Sequence, residues 1–162
     1  MIRLEHLEFS ERLQTIFATL VEIIDEFQPQ IAAAECSVNC TAEPLVEGHW
    51  DEFRIEQVVS NLLTNALRYG SKSPIEVRVY QTPEHACIEV QDHGIGISEE
   101  NQQRIFQQFE RVSSKAATAG LGLGLFIARE VALGHKGTLE VESDREHGTV
   151  FTMRLPMGAP GG

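Results

Sequence analysis

What this sequence lacks narrows it first. No run approaches the ~18 apolar residues of a membrane span. The opening, Met1-Ile2-Arg3-Leu4-Glu5-His6, carries no apolar leader, so a secreted product is not expected. Basic residues are few: 13 Lys and Arg stand against 24 Asp and Glu, a net charge of −11. A nucleic-acid binder needs a basic stripe, and none is visible, so no nucleic-acid partner is expected. Cysteine is scarce and odd in number, with only Cys36, Cys40 and Cys87. That speaks against a disulfide framework and fits a reducing, cytoplasmic setting. No His or Asp lies at zinc-ligand spacing from Cys36 and Cys40, so the cysteines read as buried hydrophobes. No internal repeat is present. What remains is ordinary globular material, 42% apolar and 23% charged, in 162 residues that suit one domain.

Hydrophobic spacing divides the chain into elements. Ser10 caps an amphipathic helix over 11–27, with Leu13, Ile16, Phe17, Leu20, Ile24 and Phe27 at helical spacing and Pro29 as its end or kink. Short strands follow at 36–40 and 45–50. Asp51 caps a second helix that runs to Tyr69 and stops at Gly70. Ile75, Val77 and Val79 alternate with polar residues, as do Ala86, Ile88 and Val90, with a hairpin loop at 81–84 between them. A glycine-containing stretch over 92–120 leads to a helix at about 122–133, ended by Gly134. Two last strands, near 138–143 and 149–155, flank a turn at His147-Gly148, and Pro156 closes the second. Three helices and a mostly antiparallel sheet predict a two-layer α/β sandwich. The Gly/Pro-rich tail, 157–162, is expected to be disordered.

Several residue groups suggest chemistry. On the second helix, Gln57, Asn61, Asn65 and Arg68 form one polar stripe beside the apolar face of Ile55, Val58, Val59, Leu62, Leu63, Ala66 and Leu67. Asn is a poor helix former, an amide oxygen can ligate Mg²⁺, and Arg68 could meet phosphate; a solvated helix face would show the same pattern. Asp92 ends a strand next to Gly94, Gly96 and Ile97. It can accept a hydrogen bond from an adenine amino group, or simply open a sharp turn. Gly120-Leu121-Gly122-Leu123-Gly124-Leu125 runs into a helix, where freed N–H groups can hold an anion. Its spacing is neither the Rossmann pattern nor a P-loop. Phe106 and Phe109 share one face of a short helix, most simply as core anchors.

Taken in order, these pieces resemble the catalytic ATP-binding domain of bacterial sensor histidine kinases, within the GHKL superfamily that also holds gyrase, heat-shock protein 90 and MutL. The resemblance covers about residues 10–156. It rests on Asn61-Leu62-Leu63-Thr64-Asn65-Ala66-Leu67-Arg68-Tyr69, on Asp92, Gly94 and Gly96, on Phe106 and Phe109, on Gly120, Gly122 and Gly124, and on Gly148-Thr149-Val150-Phe151 through Leu155-Pro156.

The resemblance implies the Bergerat-type sandwich, ATP and Mg²⁺ as cofactors, and a set of roles. Asn65 would ligate Mg²⁺. Asn61 stands where ATP-hydrolysing relatives carry a water-activating Glu, and an amide cannot act as a general base. Asp92 would read adenine, Tyr69 would lie against it, and Arg68 would sit near the phosphates. Residues 98–119 resemble an ATP lid, with Arg111 and Lys115 reaching the γ-phosphate. Ile97, Leu121, Leu123, Leu125, Thr149 and the glycines of the three boxes complete the nucleotide site.

The sequence departs from the family pattern at Leu121, where Ser or Thr is frequent, at His93, where Asn is frequent, and at Lys136, where glycine often sits. None of the six His has the context of a phosphoacceptor box. The chain therefore reads as an excised, monomeric catalytic domain with residues 1–9 left from a linker. Its partner would be the dimerisation and phosphoacceptor domain of a homodimeric kinase, and indirectly a response regulator, with the domain itself cytoplasmic. The alternatives are an anti-sigma-factor-like serine kinase of the same superfamily and a nucleotide-binding pseudokinase module.

Overall fold

The computed structural model describes residues 12–42, 47–69, 72–107, 124–144 and 146–157. Among the described residues there are two β-sheets. A two-stranded antiparallel ribbon joins β1 (Arg12–Thr15) to β3 (Glu47–Trp50). The main sheet has five strands in the order β2 (Val38–Ala42), β4 (Ile75–Gln81), β5 (His85–Asp92), β7 (Gly148–Pro156), β6 (Thr138–Asp144). Only the β2–β4 pair is parallel, so the sheet is mixed. That pair requires a crossover, and α3 (Glu52–Tyr69) lies within it.

The alternation read in the sequence sets the faces of the sheet. Ile75, Val77, Val79, Ala86, Ile88, Val90, Phe151, Met153 and Leu155 are all buried on one face. There they meet Leu20 and Ile23 of α1 (Ile16–Glu26), the apolar side of α3, and Ala128, Val131 and Ala132 of α5 (Gly124–Gly134). The other face is polar. Arg78 Nε donates to Glu89 at 2.9 Å, Arg78 Nη2 donates to Gln91 at 2.8 Å, and the Tyr80 hydroxyl donates to Glu89 at 2.5 Å. That bond to Glu89, with burial behind it, pushes the Tyr80 phenol well above its ordinary value.

The expected α/β sandwich is present, with differences in its elements. The helix expected over 11–27 begins at Ile16, because Arg12–Thr15 pairs with β3 instead. As expected, the helix breaks next to Pro29: α1 ends at Glu26, and Pro29 sits in the first turn of a second short helix, α2 (Gln28–Ala33), where its missing N–H costs nothing. With α4 (Glu99–Arg104), five helices are seen among the described residues where three were expected. The strands expected at 36–40 and 45–50 fall at 38–42 and 47–50. Of the cysteines expected to be buried, only Cys87 is; Cys36 is half-buried and Cys40 is exposed near the sheet edge. Gly134 ends α5, as expected. The helix closes through Lys136 at φ 63°, with Lys136 N–H to Leu133 O at 2.9 Å and Gly137 N–H to Ala132 O at 2.8 Å.

Candidate functional site

The site is built around the C-terminal half of α3. Asp51 caps this helix as expected, its Oδ1 accepting from the Arg54 N–H at 3.2 Å. Ile55, Val58, Val59, Leu62, Leu63 and Ala66 are buried, and Leu67 packs at their edge. The polar stripe runs beside them: Gln57, Asn61 and Asn65 are half-buried and Arg68 is exposed. Asn61 is engaged in the fold itself, its Nδ2 donating to Gly124 O at 3.0 Å, so the amide ties α3 to the start of α5. The Asn65 side chain takes no hydrogen bond among the described residues.

Asp92 ends β5 and is only 4% exposed. Its Oδ1 accepts the Gly94 N–H at 2.9 Å. Burial pushes the carboxyl above its ordinary value, and the N–H groups of Gly94 and Thr149, with His93 nearby, only partly oppose this. Gly94 is required by close approach: a Cβ there would collide with the Tyr69 carbonyl oxygen at the end of α3. The glycine thus brings the Asp92 turn onto the helix carrying the two asparagines. Gly96 has φ 82°, a conformation glycine adopts without strain. Thr149 pairs directly with Asp92 across β5 and β7 and is 3% exposed.

The structure therefore gathers Asn61, Asn65, Asp92, Gly94, Gly124 and Thr149 around the junction of α3, α5 and the ends of β5 and β7. Tyr69 is half-buried at the same junction, and Ile97 and Leu125 pack at the edge of the core. Phe106 lies in the core, edge-on to Phe151 with centroids 6.2 Å apart and under the Arg129 guanidinium at 5.3 Å, the expected core anchor, although it follows the end of α4 at Arg104 instead of lying on a helix. Phe109, Arg111, Lys115, Gly120, Leu121, Gly122 and Leu123 lie outside the described residues, as does most of the expected lid.

One polar cluster was not singled out in the sequence. Ser143, in β6, accepts from the Ile97 N–H at 2.7 Å and lies 2.8 Å from the Thr149 hydroxyl. Gln102, in α4, donates to Ile97 O at 2.8 Å. A signal for Ser143 was available: it continues the inward register of Leu139 and Val141, where a polar residue is out of place.

This arrangement is that of a family. The chain belongs to the histidine kinase-, DNA gyrase B- and HSP90-like ATPases, whose description matches residues 50–159. Among its relatives is the sensor histidine kinase RppB of Synechocystis sp., 34% identical over 140 residues that cover 84% of this chain and 31% of RppB. The sensor protein RprX of Bacteroides fragilis is 31% identical over 163 residues, covering 96% of this chain and 30% of RprX. This chain thus spans about a third of the length of these two relatives. Among solved structures, the catalytic domain of histidine kinase ThkA aligns with a TM-score of 0.79 and 26% identity, over 93% of this chain and 99% of that one.

Proposed function

We propose that this domain binds Mg²⁺-ATP and transfers the γ-phosphoryl group to a histidine on a separate dimerisation and phosphoacceptor domain of the same kinase, which then serves a response regulator. The observation that carries the reading is the buried Asp92 carboxylate, held by Gly94 against the end of the asparagine helix. A buried acceptor at a strand end suits the amino group of adenine. The carbonyl oxygen of guanine would face it acceptor against acceptor.

The residues present also fit a magnesium ion. Asn65 offers a half-buried amide oxygen with no competing hydrogen bond among the described residues, and oxygen ligands are what Mg²⁺ prefers. When bound, Mg²⁺ supplies neutralisation of phosphate charge. Asn61 provides no general base, and its amide is occupied with Gly124 O, which favours transfer to an acceptor over hydrolysis. Arg68 is exposed at the end of the same stripe, where it can meet phosphate oxygens. No described helix is long and apolar enough to cross a membrane.

Calorimetric titration with ATP and GTP tests the base assignment. A buried hydrogen bond to a charged group is worth about 1.5–3 kcal/mol, or roughly 10- to 150-fold in affinity. ATP should be preferred by at least that factor, and Asp92→Ala should weaken ATP and largely erase the preference. An Asp92→Ala variant with wild-type affinity and preference would place the adenine site elsewhere.

A further inference from the structure

β2 closes one side of the main sheet, and its outer edge is bare. Among the described residues it pairs only with β4, and just ahead of it the Ile75 N–H donates to Ser37 O at 2.8 Å. Backbone groups alternate from side to side along a strand. Ser37 therefore faces β4, and Asn39 and Thr41 face it in turn. The N–H and C=O groups of Val38, Cys40 and Ala42 point the other way, and among the described residues they have no hydrogen-bond partner. By register, the side chains of these same residues lie on the helix-bearing face, beside the buried Ile75, Val77 and Val79. Val38 and Ala42 pack at the edge of the core, but Cys40 is exposed, so no described helix overhangs the middle of the strand.

Edge strands are usually protected by charge, proline or a bulge. The opposite edge follows that rule: β6 carries Glu140, Glu142 and Asp144. β2 reads Val-Asn-Cys-Thr-Ala, with neither charge nor proline. It is also complementary to itself. An antiparallel copy, related by a two-fold axis at Cys40, sets each Cys40 opposite the other, Val38 opposite Ala42 and Asn39 opposite Thr41. In that register Cys40 with Cys40, and Val38 with Ala42, are the hydrogen-bonded pairs, so every open backbone group of one strand meets its complement on the other. On the helix-bearing face the exposed thiols cover each other. On the other face an amide meets a hydroxyl. The same pairing at β6, centred on Val141, would set Glu140 against Glu142.

We propose that β2 is a homotypic interaction edge: two copies of this chain pair β2 to β2, antiparallel and centred on Cys40, into one continuous sheet with the helices of both copies on the same face. A second copy is the occupant that the edge itself specifies, because backbone and side chains match under the two-fold axis and no like charge is met across it. This departs from the monomer expected of the isolated domain. It does not draw on the ATP reading, since β4 separates β2 from the strand that ends at Asp92. The net charge of −11 opposes association, so pairing should be weak at low salt and tighten as salt screens the repulsion.

The test is sedimentation of the whole chain over a range of concentrations at about 0.1 M and about 1 M salt, between which the screening length falls from about 10 Å to about 3 Å. A monomer–dimer equilibrium that tightens with salt is expected. A short bismaleimide should join the copies through Cys40, as mapped by mass spectrometry, because Cα atoms of such a pair lie about 5.5 Å apart. Cys36 is half-buried and Cys87 is buried, so Cys40→Ser should sediment like wild type and lose the cross-link. Cys40→Pro deletes an N–H on the open side, where proline is tolerated, and removes two hydrogen bonds per dimer; it should melt like wild type and weaken the dimer roughly 30-fold. Cys40→Lys sets like charges face to face while making the chain less acidic, and it should also dissociate the dimer. If Cys40→Pro does not fold, Cys40→Lys, at an exposed position, decides. A chain that stays monomeric at every concentration in both salts would overturn the proposal. So would a dimer that Cys40→Lys leaves intact, or one whose cross-link maps to Cys36.

Discussion

Asp92, the proposed adenine reader, is held in the fold at a cost to stability. Its carboxyl is pushed above the ordinary value of 3.8 by burial. Between the unfolded value and the raised folded one, the folded chain holds more protons than the unfolded chain. The contribution of this group to stability therefore falls as pH rises through that window, and above it the buried carboxylate is a net cost. Asp92→Asn keeps an oxygen for the Gly94 N–H and removes the charge. It should melt at a higher temperature than wild type at pH 7, with the difference shrinking as pH falls into the window, and it should bind ATP more weakly. Thermal melts from about pH 4 to about pH 8 check the first part; an Asp92→Asn variant less stable than wild type at every pH would refute it. Asn65 makes the complementary case. It takes no hydrogen bond among the described residues, so Asn65→Ala should leave the melting transition in place and abolish Mg²⁺-dependent ATP binding. Unchanged Mg²⁺-ATP affinity would sink its assignment as the metal ligand.

At the level of elements, the end of α5 and the start of α3 carry the informative details. α5 ends in a two-bond cap whose left-handed position is usually glycine but here is Lys136 at φ 63°. Lys136→Gly should relieve that strain and stabilise the domain by about 0.5–1 kcal/mol, a rise of about 1–4 °C in Tm, with no change in nucleotide affinity. Next to it, His135 is 7% exposed and joins two helices: Nε2 accepts the Asp51 N–H at 2.9 Å, and Nδ1 lies 2.9 Å from Val131 O. Those partners require the neutral ring with its proton on Nδ1. His135→Phe fills similar space and strands the Asp51 N–H, so a loss of about 1–3 kcal/mol is expected in denaturant titration. Loss of less than half the lower figure would mean that another group satisfies the helix start.

For the molecule as a whole, the sheet has one face committed to the helices and one left polar, and the site lies at one end of the buried layer where α3, α5, β5 and β7 converge. The family assignment covers residues 50–159, and relatives about three times as long carry much more chain than this one domain. On the proposed reading, with the acceptor histidine on a separate domain, this domain should be inert toward itself. Incubated alone with Mg²⁺ and ATP, the chain should acquire no phosphohistidine by mass spectrometry. Supplied with the matching acceptor domain, it should produce an acid-labile phosphoryl group on that domain. Stoichiometric phosphohistidine on the isolated chain would contradict the assignment of a separate acceptor.

The sequence alone determined what depends on local spacing. The apolar face of α3, its Asp51 cap, the β4–β5 hairpin and the one-sided alternation of β4 and β5 are all legible because periods of 3.6 and 2 bring near neighbours onto one face. The order of the asparagine, glycine and phenylalanine boxes was enough to indicate the family. Tertiary structure decided the rest, because it depends on partners distant in the chain. Arg12–Thr15 follows a helical apolar pattern yet pairs as a strand, since Glu47–Trp50, far along the chain, offers it a ladder. Gly94 reads as a turn glycine, but its neighbour is the Tyr69 carbonyl at the end of α3. Ser143 is an ordinary strand serine until β6 brings it against Ile97 and Thr149. Hydrogen bonds and close approaches between elements have no period, so no window of sequence contains them.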